Sequence, residues 1–253
     1  MSGKFEGRRV LITGAAGGLG TALALAFAEA GAELLLCDVD EDGLRRLATS
    51  LEAKGARHSS HRVDLSLEAD IQALGARLCA GSAQLDVLVN NAGLAYGEIA
   101  HGFLGLSQDK WLRFLAINTV APLLLAEHLR PALARARGVV LNISSMAAYV
   151  PGTAYGVTKA ALNAMSFAMS GALGADGIRV NGIAPGIMET PANRAQLPAE
   201  VYARIQGQQM LKLDGSAEDI ARLALFLASD DARFITNETI LCDAGNRIRG
   251  WRP

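Results

Sequence analysis

Short apolar runs alternate with longer stretches of helical spacing along the whole chain. The apolar runs are rich in Val, Ile and Leu and predict seven strands: RRVLIT, AELLLCD, SSHRVDL, LDVLVNN, GVVLNIS, GIRVNGIAP and ETILCD. Between them, helical spacing occupies 19–30, 41–54, 67–80, 109–135, 155–174 and 217–229. VLIT, LLLC and VLVN are almost continuously apolar, as in strands buried on both faces of a parallel sheet. We therefore predict an α/β fold with a doubly wound parallel sheet and helices on both faces.

Two segments break this regularity, and each follows a predicted strand. The segment 93–108 is rich in glycine, and the segment 185–216 begins with Pro-Gly and contains two further prolines. Ligands of open α/β sheets bind beyond the carboxyl ends of the strands. Both segments are therefore candidate walls of a substrate site.

Composition and charge limit the classes of protein to consider. The 253 residues, 51% of them hydrophobic, suit a single domain, 1–253, with one large core. The net charge of −1 gives no field that would attract nucleic acid or an anionic membrane. Three widely spaced cysteines predict free thiols in a reducing compartment. The start of the chain lacks a signal peptide's apolar run, and no stretch reads as long enough to cross a bilayer, so we expect a cytoplasmic protein without a membrane partner.

A glycine-rich turn joins the first predicted strand to the first predicted helix. Gly14, Gly18 and Gly20 would let the backbone approach a pyrophosphate, and the helix that starts near Leu19 would direct amides at its charge. Helix packing alone also favours glycine. The position after a buried strand nevertheless indicates a dinucleotide site.

Asp38 ends the second predicted strand, where a carboxylate can accept hydrogen bonds from the adenosine ribose. It would repel a 2′-phosphate by a few kcal/mol at an effective dielectric constant of about 20. No Arg or Lys stands at 15–17 or 39 to attract that phosphate. We therefore expect NAD(H) rather than NADP(H), although an isolated strand-end aspartate can also be merely solvated.

The run NISSMAAYVPGTAYGVTK carries candidate acid/base chemistry. A free tyrosine has a pKa near 10, and lowering it to about 7 takes roughly 4 kcal/mol. An ammonium about 4 Å away supplies an energy of that size at an effective dielectric constant of about 20. Tyr155 and Lys159 are four residues apart and share a helix face. An ordinary amphipathic helix would explain this pair but not the serines before it.

These motifs occur in one order over essentially the whole chain: TGAAGGLG, NNAG, Asn118, ISS, YGVTK, and APG followed by Thr190. In this the chain resembles the short-chain dehydrogenases/reductases, of the NAD-preferring type. The resemblance implies a Rossmann-like single domain. It also implies an oxidoreductase that interconverts a secondary alcohol and a ketone by direct hydride transfer, with NAD and without a metal.

The resemblance also implies roles for individual residues. Tyr155 is the general acid/base, Lys159 lowers its pKa and binds the nicotinamide ribose, Ser145 polarises the substrate oxygen, and Asn118 holds a proton relay. The cofactor residues implied are Gly14, Gly18, Leu19, Gly20, Asp38, Asp64, Leu65, Asn91, Ala92, Gly93, Tyr155, Lys159, Pro185, Gly186, Ile187 and Thr190.

The chain departs from the family's pattern in two places. Ser145 precedes Tyr155 by only ten residues, fewer than is usual, so Ser144 remains a rival for the polarising role. The tail 245–253 extends past the last strand and contains Trp251. Candidate substrate contacts are Ser145, Tyr149, Tyr96 and Met188, with Glu98 and His101 on the same segments. Helices 109–135 and 155–174 resemble those through which relatives associate, which predicts a homotetramer or a homodimer.

Two other functions stay open at this point. One is a 3-oxoacyl-carrier-protein-type ketoreductase, which Asp38 disfavours because such enzymes normally use NADPH. The other is a nucleotide-binding scaffold that has lost its chemistry, since fold does not fix function. The alcohol itself is also open, and sterols, polyols, cyclic diols and aromatic alcohols are all candidates.

Overall fold

A computed structural model describes residues 3–95, 97–189 and 197–246. Its seven strands form one parallel sheet in the order β3-β2-β1-β4-β5-β6-β7. The predicted doubly wound α/β fold is confirmed. The strands are β1 (Arg9–Thr13), β2 (Glu33–Asp38), β3 (His58–Arg62), β4 (Val87–Asn90), β5 (Val139–Ile143), β6 (Arg179–Pro185) and β7 (Thr239–Cys242).

Helices cover both faces of the sheet. Five of them match predicted segments: α1 (Gly18–Glu29), α2 (Glu41–Glu52), α3 (Glu68–Leu78), α7 (Ala154–Leu173) and α9 (Ala217–Ala228). Successive side chains of a strand alternate between the faces. Val10 and Ile12 accordingly pack with the cluster that contains α1 and α9, whereas Leu11 packs with the cluster that contains α3. The site therefore rests on a sheet that is buried on both sides.

The predicted helix 109–135 is interrupted. It consists of α5 (Gln108–Leu115), a π-helical turn over Ala116–Val120 and α6 (Ala121–Ala136). Hydrophobic spacing cannot reveal such a turn, because one wider turn leaves the apolar face almost unchanged. Asn118 lies in this turn, and π-helical turns are frequent at functional sites.

The same helical span, counted through its π-helical turn, corrects one sequence-based expectation about membranes. By length and composition, residues Gln108–Ala136 could cross a bilayer, with a mean hydropathy of 1.3 over the most apolar window. A core helix of a globular domain meets the same criterion. Leu125, Leu129 and Leu133 of α6 pack with Ile71 and Leu74 of α3, so this helix serves as a core helix in the described fold.

Both irregular segments contain helices that the sequence pattern did not predict. The segment 93–108 holds the short α4 (Glu98–His101), and the segment 185–216 holds α8 (Ala199–Gly207). A 3₁₀ turn over Met146–Tyr149 follows β5. These elements lie beyond the carboxyl ends of the strands and shape the site.

Candidate active site

A cavity of about 940 Å³ runs along the carboxyl ends of the strands. It extends from the end of β2 to the start of α7 and to α8. The residues predicted for the site that line it are Gly14, Gly18, Leu19, Gly20, Asp38, Asp64, Leu65, Asn91, Ala92, Gly93, Ser145, Tyr155, Lys159, Pro185, Gly186, Ile187 and Met188. The fold thus places the predicted dinucleotide site and the predicted acid/base residues in one cavity.

The glycine turn has two glycines that the fold requires and one that faces open space. Gly14 has φ +63°, and a Cβ there would lie 2.8 Å from Cα of Ala92. A Cβ on Gly20 would overlap the carbonyl oxygen of Gly14. A Cβ on Gly18 would meet no protein atom within 4 Å, although Gly18 lines the cavity. The gap in front of Gly18 is therefore a cradle that a Cβ would fill.

The start of α1 completes this cradle. Gly17 is its N-cap and has no side chain to accept hydrogen bonds from the first helical amides. Those amides and the positive end of the helix dipole attract an anion. The glycine turn therefore fits the pyrophosphate of a dinucleotide.

Asp38 is held by backbone amides at the end of β2. Its Oδ2 accepts from the amide of Ala16 at 2.9 Å, and its Oδ1 accepts from the amide of Asp40 at 3.0 Å. Each oxygen retains capacity for a further hydrogen bond, because an ionised carboxylate offers about four acceptor positions. The carboxylate thus lines the cavity in a defined orientation.

Arg62 is a residue of this end that sequence reasoning missed. It pairs with Asp38 in the parallel register of β3 and β2, and it lines the cavity. Its Nε lies 3.5 Å from Oε1 of Glu41 at the start of α2. Its position beside Asp38 follows from the order and register of β2 and β3. The sequence of β3, HSSHR, has almost no apolar residues from which that register could be inferred.

Hydrogen bonds fix the next two strand ends. Asp64 accepts from the hydroxyl and the amide of Ser66, and these bonds, the hydroxyl first, lower the pKa of its carboxyl group. Asn91 donates from Nδ2 to the carbonyl oxygens of Thr13 at 2.9 Å and Gly14 at 3.0 Å. The loop after β4 is therefore tied to the glycine turn.

The opposite end of the cavity carries Tyr155 and Lys159 on the first turns of α7. Thr153 caps this helix by accepting from the amide of Gly156 at 3.1 Å. Nζ of Lys159 lies 5.9 Å from the centre of the Tyr155 ring and donates to the carbonyl oxygen of Ile143 at 2.7 Å. Burial lowers the pKa of Lys159 to about 8. At pH 7 the group is still mainly cationic.

Asn118 does not line the cavity but connects two walls of it. Its Oδ1 accepts from the amide of Leu94 at 2.7 Å, and its Nδ2 donates to the carbonyl oxygen of Leu94 and to Oγ1 of Thr158, both at 3.0 Å. A Cβ on Gly93 would lie 3.2 Å from Oδ1 of Asn118 and 3.3 Å from Nζ of Lys159. Asn118 therefore holds the loop after β4 against α7, and its relay role stays a prediction.

The two serines differ in how their hydroxyl groups are used. Ser144 is buried, and its Oγ donates to Oδ1 of Asn163 at 2.5 Å. Ser145 caps the 3₁₀ turn by accepting from the amide of Ala147 at 3.1 Å. Accepting that bond leaves the hydroxyl hydrogen of Ser145 for a ligand, whereas the bond to Asn163 uses that of Ser144.

The candidate substrate residues have different outcomes. Met188 lines the cavity. Tyr149 does not, because the 3₁₀ turn directs its hydroxyl to the carbonyl oxygen of Thr239 at 3.4 Å. Tyr96, Thr190 and the part of the tail that contains Trp251 lie outside the described residues.

The apolar side chains on this side that the sequence analysis missed include Ala100 on α4, Leu197 just before α8 and Ile205 on α8. All three lie in the segments 93–108 and 185–216 that were predicted as walls, but neither helix was predicted, so the individual positions could not be chosen. In the described ranges, no group of three His, Cys, Asp or Glu side chains is arranged to hold a metal.

Comparisons with known proteins agree with this geometry. A family model described as enoyl-(acyl carrier protein) reductase matches residues 14–247. The cis-4-hydroxycyclohexanecarboxylate dehydrogenase of Sinomonas cyclohexanicum is 34% identical over 97% of this chain and 98% of its own. The structure of a short-chain dehydrogenase/reductase, a glucose/ribitol dehydrogenase from Brucella melitensis, is 34% identical, with a TM-score of 0.86 over 97% of this chain and 98% of that one.

A second solved structure contains a cofactor. It is a 7α-hydroxysteroid dehydrogenase in complex with NADH and 7-oxoglycochenodeoxycholic acid. It is 28% identical to this chain and has a TM-score of 0.89, with 96% of each chain covered.

Proposed function

The chain belongs to the short-chain dehydrogenase/reductase family of oxidoreductases, and on that basis we propose that it is an NAD-dependent dehydrogenase that interconverts a secondary alcohol and a ketone. One observation carries the proposal. A buried lysine, a tyrosine and a serine line the same cavity as a glycine cradle and an oriented aspartate. An acid/base pair alone, or a nucleotide site alone, would not favour this chemistry.

The residues present fit a nicotinamide dinucleotide along the cavity. The glycine turn and the start of α1 would hold the pyrophosphate, Asp38 the adenosine ribose, and Asp64 and Leu65 the adenine side. At the other end, Lys159 would bind the second ribose, and the backbone from Pro185 to Ile187 would face the nicotinamide. When bound, the nicotinamide ring accepts the hydride of the alcohol or donates it to the ketone.

The side chains of the reacting end move the proton. In oxidation, ionised Tyr155 accepts the hydroxyl proton of the alcohol while Ser145 donates a hydrogen bond to the same oxygen. The ammonium group of Lys159 favours the ionised form of Tyr155 because opposite charges attract. In reduction, Tyr155 returns the proton. Asn118 keeps the loop after β4 against α7, so that this wall of the site stays in place.

The choice of NAD over NADP rests on Asp38. Both of its oxygens are fixed by backbone amides, so the carboxylate cannot easily turn away from a 2′-phosphate. Arg62 lies beside it but is paired with Glu41, which offsets its charge. The net field at this end therefore disfavours the additional phosphate of NADP.

We also propose that the protein works in the cytoplasm as a homo-oligomer. Large apolar side chains stay exposed on the helices expected to associate: Leu112 on α5, Val120 in the π-helical turn and Phe167 on α7. Burying them between copies would be favourable. A monomeric mass in sedimentation equilibrium would contradict the assembly.

The test starts with fluorescence titrations of the purified protein with NADH and with NADPH. We expect clearly tighter binding of NADH. A panel of secondary alcohols should then reduce NAD, and Tyr155→Phe should lower kcat/KM by about 100-fold or more with NADH affinity unchanged.

Each other result points to a different function. Tighter binding of NADPH would favour the 3-oxoacyl-carrier-protein-type ketoreductase. Failure to bind either nucleotide would favour a scaffold without chemistry.

A further inference from the structure

Two arginines, Arg62 and Arg113, line the cavity at its nucleotide end. We propose that Arg113, on α5, is a cofactor-binding residue whose guanidinium group faces the adenosine half of the dinucleotide and offsets the negative charge of Asp38 and Asp64. The inference rests on the proposed function and adds to its cofactor site a residue from a distant part of the chain.

Arg113 belongs to the nucleotide end although it lies far in the chain from the unit β1–α1–β2. It lines the same cavity as Asp64 and Leu65, the residues proposed for the adenine side. Hydrogen bonds from Ser66 are the main cause of the lowered pKa of Asp64, and the charges of Arg62 and Arg113 add to it. Because such an effect falls off with distance, the guanidinium group of Arg113 lies near the proposed adenine side.

The guanidinium group of Arg113 is available to a ligand. Arg113 is exposed, and no hydrogen bond or ion pair joins its side chain to another residue of the described ranges. The residues outside those ranges include no Asp or Glu, so they hold no side-chain carboxylate that could pair with it. Neighbouring cations are paired, Lys110 of the same helix with Glu98 and Arg62 with Glu41. The N–H donors of Arg113 therefore remain for a bound group.

The charges at this end explain what Arg113 would contribute. Asp38 and Asp64 present two carboxylates to the cavity, and the pyrophosphate of a dinucleotide brings further negative charge. Arg62 lies 3.5 Å from Glu41, which offsets its positive charge. In the described lining of this end, Arg113 is the cation that pairs with no carboxylate. Its attraction for the phosphates is strengthened inside a cleft, where low-dielectric walls focus the field.

Contacts at both ends of α5 hold Arg113 at the cavity. Ser107 caps the start of the helix, and the ring of Trp111 meets that of Phe103 edge to face, with the ring centres 5.9 Å apart. The end of α5 continues into the π-helical turn that contains Asn118. The backbone of Arg113 is therefore already fixed beside the cavity, and only its side chain has to turn toward the cofactor.

A nucleotide that lacks the nicotinamide half tests where Arg113 acts. ADP contains the adenosine and both phosphates, and its binding is measured by displacement of NADH fluorescence. We expect Arg113→Gln to weaken the binding of NADH and of ADP by about fivefold each, because one positive charge near the phosphates is lost. Neither measurement requires a known alcohol substrate.

Two further variants separate charge from packing. Arg113→Lys keeps the charge and should bind NADH within about twofold of the wild type. Lys110→Gln removes a cation that is exposed on the same helix and does not line the cavity, so it should leave both affinities unchanged. Added salt should weaken NADH binding less in Arg113→Gln than in the wild type, since a charge interaction is screened. Far-UV circular dichroism checks that each variant is folded.

The outcomes separate this inference from the proposed function. Equal NADH affinity of the wild type and Arg113→Gln overturns the inference, and so does a loss for NADH that ADP does not share. A loss of the same size in Lys110→Gln also overturns it, because any cation of the helix would then serve. Failure of the wild type itself to bind NADH overturns the proposed function, and the inference with it.

Discussion

The two ends of the cavity are built in different ways. The nucleotide end comes largely from one continuous unit, β1–α1–β2, and its shape depends on backbone contacts at Gly14, Gly20 and Asp38. The reacting end is assembled from separate segments that side-chain bonds of Asn118 and Lys159 hold together. The nucleotide end carries charged side chains and is formed mainly by residues close together in the chain. The reacting end is lined by apolar side chains apart from its catalytic groups. Substitutions at the first should therefore alter cofactor binding or the fold, and substitutions at the second should alter chemistry and substrate choice.

The largest effects are expected from a pair of glycine substitutions in the turn at the nucleotide end. Gly20→Ala should lower the free energy of unfolding by about 3 kcal/mol or more, because the new Cβ overlaps the carbonyl oxygen of Gly14. Gly18→Ala should keep or slightly raise stability, since its Cβ meets no protein atom. It should weaken NADH binding by about tenfold, because it fills the cradle. Urea denaturation and NADH titration measure the two effects. Equal stability of both variants would show that the turn does not need Gly20.

The buried Lys159 predicts a pH effect on stability that belongs to the reacting end. Its pKa is about 8 in the folded protein against 10.5 in the unfolded chain. Between these values the unfolded chain holds the proton and the folded protein has lost it, so the free energy of unfolding rises with pH. The rise amounts to about 3 kcal/mol over the whole window.

The control for this effect removes the titrating group. Cys37, whose pKa burial raises from 9.0 to about 12, acts in the opposite direction above pH 9. The informative quantity is therefore the difference between the wild type and Lys159→Met in urea denaturation from pH 7 to pH 10.5, in which the contribution of Cys37 cancels. A difference that is independent of pH would contradict the burial of a titrating ammonium.

The smallest expected effect is a change of cofactor preference. Asp38→Asn removes the charge that repels a 2′-phosphate and should raise the ratio of NADPH to NADH affinity by about tenfold. Asp42→Asn removes an exposed carboxylate of α2 that does not line the cavity, and it should leave the ratio unchanged. Fluorescence titration of both variants decides the matter. An unaltered ratio in Asp38→Asn would assign selectivity to another group, with Arg62 the nearest candidate.

Much of the fold could be predicted because the spacing of apolar residues within each strand and helix reflects which of its faces is buried. All seven strands and five of the six predicted helices have bounds close to those observed. The exceptions have physical reasons. The π-helical turn around Asn118 preserves the apolar periodicity, and α4 and α8 lie where hydrophobic spacing is weak. Tyr149 was predicted to contact substrate because it lies on the loop after β5, but a 3₁₀ turn carries it toward β7.

The order of the elements and the chemical groups of the site could be inferred from the amino-acid sequence alone. A glycine turn before a helix, an aspartate that ends a strand, and a tyrosine four residues before a lysine are local arrangements, because helix and strand geometry relate neighbours along the chain. In contrast, the position of Arg62 beside Asp38 and the link that Asn118 makes between Leu94 and Thr158 became visible only in the folded protein. The same holds for the apolar side chains that α4 and α8 contribute to the cavity, Ala100 and Ile205. These contacts join residues far apart in the chain, and they exist only once the whole core has packed.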